Sequence, residues 1–240
     1  MKKLLLATAL MLAGSGIASA DVVRLATEGA YPPFNLIDDK GEVAGFEREL
    51  GDEVCKRAAM ECSWTTNKWD SIIPNLQSGN YDVIIAGMSI TDERKKVIDF
   101  TQDYYPPVPS GYVAASADAD LKAGPISAQV STIQSAYIAE SGAQLLEYPS
   151  PDETVAAVRN GEAVAVFADT DYLRPLVEQS NGALMFVGEP VSIGGGVGMG
   201  VRQADQELKG KLDAAIASMK ADGTLNTMIV KYFGEAGQQY

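Results

Sequence analysis

The sequence predicts an α/β protein of two similar lobes, with the chain crossing twice between them. Short apolar segments alternate with amphipathic helical ones, which is typical of a mainly parallel sheet covered by helices. Two segments, WDSIIPNLQSGNYDVIIAG (69–87) and DETVAAVRNGEAVAVFADTD (152–171), share one pattern of amphipathic helix, glycine stop and apolar strand. Residues 104–111 and 188–201, rich in proline or glycine, suit extended crossings. Two crossings place a cleft between the lobes and permit hinge closure.

The two crossings set the predicted lobe boundaries. We expect residues 21–108 and 194–240 to form the first lobe and residues 109–193 the second. Ordinary α/β architecture explains the shared pattern equally well without duplication. A surface glycine loop is the alternative for residues 188–201.

The chain begins with a predicted secretory signal peptide, residues 1–20. Lys2 and Lys3 precede a short apolar run, and Ala-Ser-Ala stands just before Asp21. The mature protein is therefore expected to be exported to the periplasm. Loss of two lysines leaves 17 basic against 32 acidic residues and moves the net charge from −13 to −15. Nucleic acid and anionic lipid are poor partners for such a chain.

The mature chain starts with a predicted strand, a loop and a disulfide-linked helix. Residues 22–27 form the strand, and two prolines stiffen the loop at residues 28–34. A helix is predicted over residues 45–59, with another strand after it. Cys55 and Cys62 are the two cysteines of the chain, and in an exported protein we expect them to form a disulfide. Two unpaired buried thiols are the alternative.

Residues 69–100 place a buried strand, a small-residue turn and an arginine in succession. Residues 82–86 are the β-branched run of a parallel strand, and residues 89–94 start a helix with a Ser or Thr cap. Such a helix start favours an anion, and the Arg94 guanidinium can grip a carboxylate with two parallel bonds. The block predicts a receptor for a small carboxylate. A solvated surface arginine is the alternative.

The second half predicts a strand over residues 163–167 with Asp169 at its end, and an amphipathic helical region over residues 206–233. No histidine occurs anywhere in the chain. The commonest general base and the commonest zinc ligand are therefore missing. We expect a protein that is not an enzyme and uses no cofactor or metal.

Several segments, in the same order along nearly the whole mature chain, resemble one protein family. They are ATEGAYPPFN, GFERELGDEVCKR with the second cysteine, residues 69–101, QVSTIQ, VFADTDYL, GMGVR and ADGTLNTMIVKYFG. The chain resembles the extracytoplasmic solute-binding proteins of bacterial ABC transporters, in the branch that includes the lysine/arginine/ornithine- and histidine-binding proteins. The resemblance implies a two-lobed periplasmic-binding-protein fold (type II, Venus-flytrap) with two crossing hinge strands. It also implies a monomer that delivers its ligand to a membrane permease.

The resemblance assigns the ends of an amino-acid ligand to five residues. Arg94, with Ser89, matches the arginine that holds the α-carboxylate, and Thr132 matches a second contact to it. Asp169 matches the acid that accepts bonds from the α-ammonium, helped by the backbone of Gly87. One cation and one anion from opposite lobes would couple the ligand to closure.

Three further residues match positions around the ligand's side chain. Trp69 and Tyr31 match aromatic positions on two walls, although each has the alternative of a core aromatic. Glu28 stands where related binders of basic ligands carry an acid, and its alternative is a pair with a surface lysine. These matches favour arginine, lysine, ornithine or histidine as the ligand.

The chain departs from this family pattern at a few positions. Ala86 and Gly87 replace two serines, Val130 stands where many members have glycine, and Ala128 replaces a bulkier residue. A roomier pocket is expected, so glutamine or an opine stays open as ligand. An exported cyclohexadienyl (prephenate/arogenate) dehydratase on the same fold is the enzyme alternative. A receptor that reports to a membrane sensor is another.

Overall fold

The computed structural model describes residues 22–240, so the predicted signal peptide lies outside the described residues. Within them the chain forms an α/β fold, as predicted. The helices are α1 (Phe46–Arg57), α2 (Trp69–Gln77), α3 (Asp92–Lys95), α4 (Ile133–Ser141), α5 (Pro151–Arg159), α6 (Thr170–Gln179), α7 (Gln206–Ala221) and α8 (Thr224–Phe233). The strands are β1 (Val23–Thr27), β2 (Ala30–Tyr31), β3 (Asn35–Ile37), β4 (Val43–Ala44), β5 (Cys62–Thr66), β6 (Val83–Ile84), β7 (Asp99–Tyr105), β8 (Ser110–Ala114), β9 (Ile126–Gln129), β10 (Leu145–Tyr148), β11 (Ala165–Asp169), β12 (Met185–Val191) and β13 (Val197–Val201).

Two five-stranded sheets form the two lobes, and a small sheet of β2, β3 and β4 lies beside them. The first sheet has the order β5-β1-β6-β13-β7, and the second has the order β10-β9-β11-β8-β12. Each sheet contains one reversed strand, β13 in the first and β8 in the second. The chain enters each lobe from the other along that reversed strand. The other strands are mutually parallel, as the alternating pattern predicts.

The core lies on both faces of each sheet, because successive strand residues point to opposite sides. In β6, Val83 packs with α1, α7 and α8, whereas Ile84 packs with α2 on the other face. In β11, Val166 packs with α5 and α6, and Phe167 packs with α4. The disulfide between α1 and β5 is present, which confirms the predicted pairing of the two cysteines.

Both predicted crossings connect the two sheets. The chain passes from β7 to β8 through residues 106–109, and from β12 to β13 through residues 192–196. The glycines of the second crossing allow close backbone approach, since a Cβ on Gly195 would lie 2.7 Å from the Ile90 carbonyl oxygen. The alternative of a surface glycine loop is therefore wrong.

Candidate ligand-binding cleft

The cleft between the sheets is lined by residues of both lobes. The carboxyl ends of β1, β6, β9 and β11 meet there, and crevices at the carboxyl ends of parallel strands are where α/β sheets bind ligands. The structure brings together at this cleft all eight residues predicted to contact a ligand: Glu28, Tyr31, Trp69, Gly87, Ser89, Arg94, Thr132 and Asp169.

Arg94 lies on α3, which is a single helical turn. The Thr91 hydroxyl accepts a hydrogen bond from the Arg94 backbone N–H at 3.2 Å, which confirms the predicted Ser or Thr cap. Nη1 of Arg94 donates to the Ser89 carbonyl at 2.8 Å, and its Cζ lies 5.2 Å from the Trp69 ring centroid. Burial lowers the pKa of Arg94 to about 10, against the opposing effect of the Asp169 charge. The guanidinium lines the cleft, so the alternative of a solvated surface arginine is wrong.

Asp169 ends β11 on the opposite wall. Its Oδ1 accepts a hydrogen bond from Gln134 Nε2, and its Oδ2 accepts one from the Tyr31 hydroxyl, both at 2.9 Å. Burial raises the pKa of Asp169 to about 6, although the Tyr31 bond and the Arg94 charge lower it. The ion pairs among residues 22–240 include none between Arg94 and Asp169. A cation and an anion thus face one space without pairing directly, which suits a zwitterion.

Two aromatic side chains of the first lobe form walls of the cleft and contact the second lobe. Trp69 Nε1 donates to the Ser131 carbonyl at 3.2 Å, and the Trp69 ring is only 8% exposed because it also packs on the core beneath α2. The Tyr31 ring stacks on Tyr172 with centroids 4.3 Å apart and planes 11° from parallel. Both aromatics therefore line the cleft and also belong to packed clusters. Each is thus a wall of the site and a core aromatic at the same time.

Glu28 follows β1 and reaches across to the second lobe. Its Oε1 accepts a hydrogen bond from Gln129 Nε2 at 2.6 Å, so the alternative of a pair with a surface lysine is wrong. Burial raises the pKa of Glu28 to about 7; the Gln129 bond lowers it, and the charges of Asp152 and Asp70 raise it further. Its environment is therefore apolar enough, and negative enough, to favour a cation beside it.

The remaining predicted contacts are partly committed to the protein itself. Thr132 caps α4: its hydroxyl accepts from the Ser135 N–H at 3.1 Å and donates to the Gln129 carbonyl at 2.7 Å. Gly87 has φ of 61°, a conformation that favours glycine, and its N–H donates to Glu47 Oε1 at 2.6 Å. The Thr132 hydroxyl and the Gly87 N–H are therefore already engaged within the protein.

Sequence reasoning missed several lining residues, mostly from the second lobe. Gln129 ends β9 and Gln134 lies on α4, and both belong to the QVSTIQ segment from which only Thr132 was selected. A polar residue at the carboxyl end of a predicted parallel strand is the signal that points to Gln129. The others are Ile133, Pro151, Thr154, Phe167 and Ala168.

Of the four positions that depart from the family pattern, only two line the cleft and could enlarge the pocket. Ala86 and Gly87 line the cleft, and a Cβ at Gly87 would lie 3.4 Å from Tyr31 Cδ1. Ala128 is fully buried and, like Val130, lies outside the lining. The contribution expected from Ala128 is therefore wrong, because its side chain fills core space under β9.

Residues 22–240 contain no cluster of three or more His, Cys, Asp or Glu side chains arranged to hold a metal ion. Within the same range, no helix is both long enough and apolar enough to cross a membrane.

Residues 23–235 match the family described as bacterial extracellular solute-binding proteins, family 3. The chain belongs to this family. The family match covers both lobes and both crossings, in agreement with the architecture of the two sheets.

Individual members give the same result. The chain is 35% identical over 252 residues to the L-arginine-binding protein of Pseudomonas aeruginosa, covering 97% of each chain. It is 68% identical, with a TM-score of 0.90, to a periplasmic His/Glu/Gln/Arg/opine family-binding protein from Silicibacter pomeroyi in complex with lysine, covering 91% of this chain and 100% of that one. An ancestral amino acid-binding protein described as a precursor of cyclohexadienyl dehydratase is 25% identical, with a TM-score of 0.80, covering 88% and 95%.

Proposed function

We propose that this family member is a periplasmic receptor that binds a basic amino acid between its lobes and delivers it to an ABC importer. The observation that carries the proposal is the pair Arg94 and Asp169. These opposite charges come from opposite lobes, line one cavity and form no direct ion pair. An α-amino acid presents a carboxylate and an ammonium that match them, and both contacts form only when the lobes are closed.

The proposed roles follow the positions of the side chains. Arg94 binds the α-carboxylate with its guanidinium, assisted by Ser89 and the Thr132 backbone. Asp169 accepts from the α-ammonium, and the Gly87 carbonyl accepts another bond. The part of the Asp169 carboxylate that Tyr31 and Gln134 do not use faces the ligand.

The ligand's side chain is proposed to lie between Trp69, Tyr31 and Glu28. A cation near Glu28 would favour the ionised carboxylate, whose pKa burial raises to about 7 in the described structure. The two relatives most informative on this point are named for arginine or solved with lysine. Glutamine or an opine remains the alternative, since Ala86 and Gly87 leave space on one wall.

Several wider features belong to the same proposal. Sheet membership supports a first lobe of residues 21–108 and 194–240 and a second lobe of residues 109–193. The signal peptide over residues 1–20, the monomeric state and the permease partner rest on the family and the sequence. We propose that binding is the whole activity, in preference to dehydration, because two relatives, 34% and 35% identical to this chain, are named as arginine-binding proteins.

Titration calorimetry on the mature protein tests this proposal. Arginine, lysine, ornithine, histidine, glutamine and octopine, an opine of arginine, are compared, and saturable binding of a basic amino acid is expected. Arg94→Ala is expected to weaken it at least about 30-fold, whereas Lys95→Ala, the adjacent cation on the same helical turn, leaves it unchanged. Native affinity in Arg94→Ala would contradict the assigned site, and turnover of prephenate or arogenate by the wild type would favour the enzyme alternative.

A further inference from the structure

Glu47 is a fully buried acid that does not line the cleft. It lies in the first turn of α1 with 0% of its surface exposed. Three donors surround its carboxylate. The Gly87 N–H donates to Oε1 at 2.6 Å, the Tyr104 hydroxyl donates to the same oxygen, and Asn35 Nδ2 donates to Oε2 at 2.7 Å. A carboxylate with three donors and a helix N-terminus beside it is a fully satisfied buried acceptor.

Asn35 extends this contact to a second segment of the cleft wall. Its Oδ1 accepts hydrogen bonds from the Gly29 N–H at 2.7 Å and the Ala30 N–H at 3.2 Å. Gly29 and Ala30 stand directly between Glu28 and Tyr31, both of which line the cleft. The two buried side chains therefore link the segment that carries Glu28 and Tyr31 to the turn that carries Gly87.

We propose that Asn35 and Glu47 form a positioning relay that holds these two walls in the geometry required for ligand binding. The inference rests on the proposed function of the cleft. Neither residue touches the ligand: Asn35 fixes the segment before Tyr31, and Glu47 fixes the Gly87 turn whose carbonyl faces the α-ammonium. Preorganised walls lower the cost of ordering the site on binding.

Backbone N–H groups fix the direction of the hydrogen bonds in the relay: those of Gly29 and Ala30 at one end and that of Gly87 at the other. Asn35 must present its oxygen to Gly29 and Ala30, so its amide nitrogen faces Glu47. Glu47 must present oxygen both to Gly87 and to Asn35, which only a carboxylate does. A Glu47→Gln change therefore leaves one buried donor facing another, and an Asn35→Asp change brings two carboxylates to the 2.7 Å contact.

The double variant Asn35→Asp with Glu47→Gln restores the whole pattern with the two groups exchanged. The carboxylate introduced at position 35 would accept from Gly29 and Ala30 and also from the new amide at position 47. The oxygen of that amide would accept from Gly87 and Tyr104. Net charge and side-chain volumes stay nearly the same. If the relay positions the walls, each single variant should therefore lose ligand affinity and the double variant should recover it.

Calorimetry with arginine on wild type, both single variants and the double variant tests the relay, with melting curves recorded in parallel. Each single variant is expected to lose about tenfold or more in affinity, the effect of one unpaired buried donor or carboxylate. The double variant is expected to bind within about threefold of wild type. Tyr104→Phe removes one donor but neither wall contact, so its affinity stays near wild type even where its melting temperature falls.

Each other outcome has a definite meaning. Single variants that melt earlier but bind arginine like wild type show a role in stability alone and overturn the relay. A double variant that binds as poorly as the single variants also overturns it. If the single variants do not fold, the double variant decides alone, and a tenfold loss there contradicts the inference. Absence of binding by wild type to every amino acid tested would contradict the proposed function instead.

Discussion

The two walls of the cleft hold their charged groups in different ways. On the first-lobe wall, the Arg94 guanidinium donates one hydrogen bond, to the Ser89 carbonyl of its own lobe. On the second-lobe wall, the Asp169 carboxylate already accepts from Tyr31 of the other lobe and from Gln134 of its own. The protein therefore supplies donors for its anion, whereas the proposed function assigns the other N–H groups of the cation to a ligand carboxylate.

Because of this difference, losing a contact to the ligand and losing a hydrogen bond between the two walls should have different consequences. Among residues 22–240, four hydrogen bonds join the walls. They run from Gln129 to Glu28, from the Tyr31 hydroxyl to the Asp169 carboxylate, from the Asp169 N–H to the Tyr31 hydroxyl, and from Trp69 to the Ser131 carbonyl. In the proposed function, Asp169 and Glu28 each contact both the ligand and the opposite wall, whereas Arg94 contacts the ligand alone. Substitutions on the two walls should consequently have different effects on the ligand-free protein.

The largest effect is expected for Arg94→Ala. Arginine affinity should fall at least about 30-fold, since truncating one partner of a buried charge pair costs roughly 2 kcal/mol or more. The melting temperature of the ligand-free protein should change little, because no contact across the walls is lost. Calorimetry and thermal melts measure both quantities, with Lys95→Ala as control. A large drop in the melting temperature of the ligand-free variant would contradict the proposed difference between the two walls.

Asp169→Asn should have the next largest effect. The amide keeps one acceptor oxygen but loses its charge, so affinity should fall about tenfold or more. Unlike Arg94→Ala, this variant also weakens the bonds from Tyr31 and Gln134. Small-angle scattering with saturating arginine should show a smaller fraction of compact molecules. Tyr31→Phe removes the hydroxyl that bonds Asp169 across the walls, as donor to its carboxylate and acceptor from its N–H, but keeps the Asp169 charge, and so separates the two contributions. Unchanged affinity in Asp169→Asn would refute its assigned role.

Glu28→Gln tests whether the far end of the cleft selects a cation. Affinity for arginine and lysine should fall about tenfold, the value of one charged hydrogen bond, while glutamine affinity stays the same or rises. Because the oxygen of the introduced amide can still accept from Gln129, closure is retained. Competition calorimetry with arginine and glutamine gives the ratio of the two affinities directly. An equal loss for arginine and glutamine would place the ligand's side chain elsewhere.

The smallest effect is a dependence on pH. Arginine affinity should decline from about pH 8 to about pH 5, as Glu28 and Asp169 protonate near their raised pKa values of about 7 and about 6. The stability of the ligand-free closed form should change in the opposite direction and decrease as the pH rises. Each raised pKa contributes stability that is fully present below the ordinary pKa of the group and is lost as the pH rises through about 7 for Glu28 and about 6 for Asp169. Glu28→Gln should flatten the upper part of both profiles, and unchanged profiles would contradict this assignment.

The alternating pattern predicted the α/β fold, and a strand end with a helix cap indicated Arg94 as an anion-binding group. The family resemblance, and not local pattern, pointed to Asp169, and the structure places both residues in the lining of the cleft. The predicted anion site at a helix start is weaker than expected, because α3 is one turn and the guanidinium supplies the positive charge.

Contacts across the cleft could not be predicted in the same way. The bond between Glu28 and Gln129 joins residues 101 positions apart, and it forms only at the observed lobe arrangement. Glu47 looked like an ordinary acid in the first turn of an amphipathic helix, and only the packing of Asn35 and Gly87 around it shows that it is a buried acceptor. Side chains that act through other side chains leave little local pattern in a sequence.

Decarboxylated arginine tests most directly whether Arg94 binds the α-carboxylate of the ligand. Calorimetry compares arginine with agmatine, which keeps the guanidinium but has no carboxylate, on wild type and on Arg94→Ala. Wild type should prefer arginine by at least about 30-fold, and the preference should shrink to near unity in the variant. A preference of equal size in both proteins would show that another group binds the carboxylate.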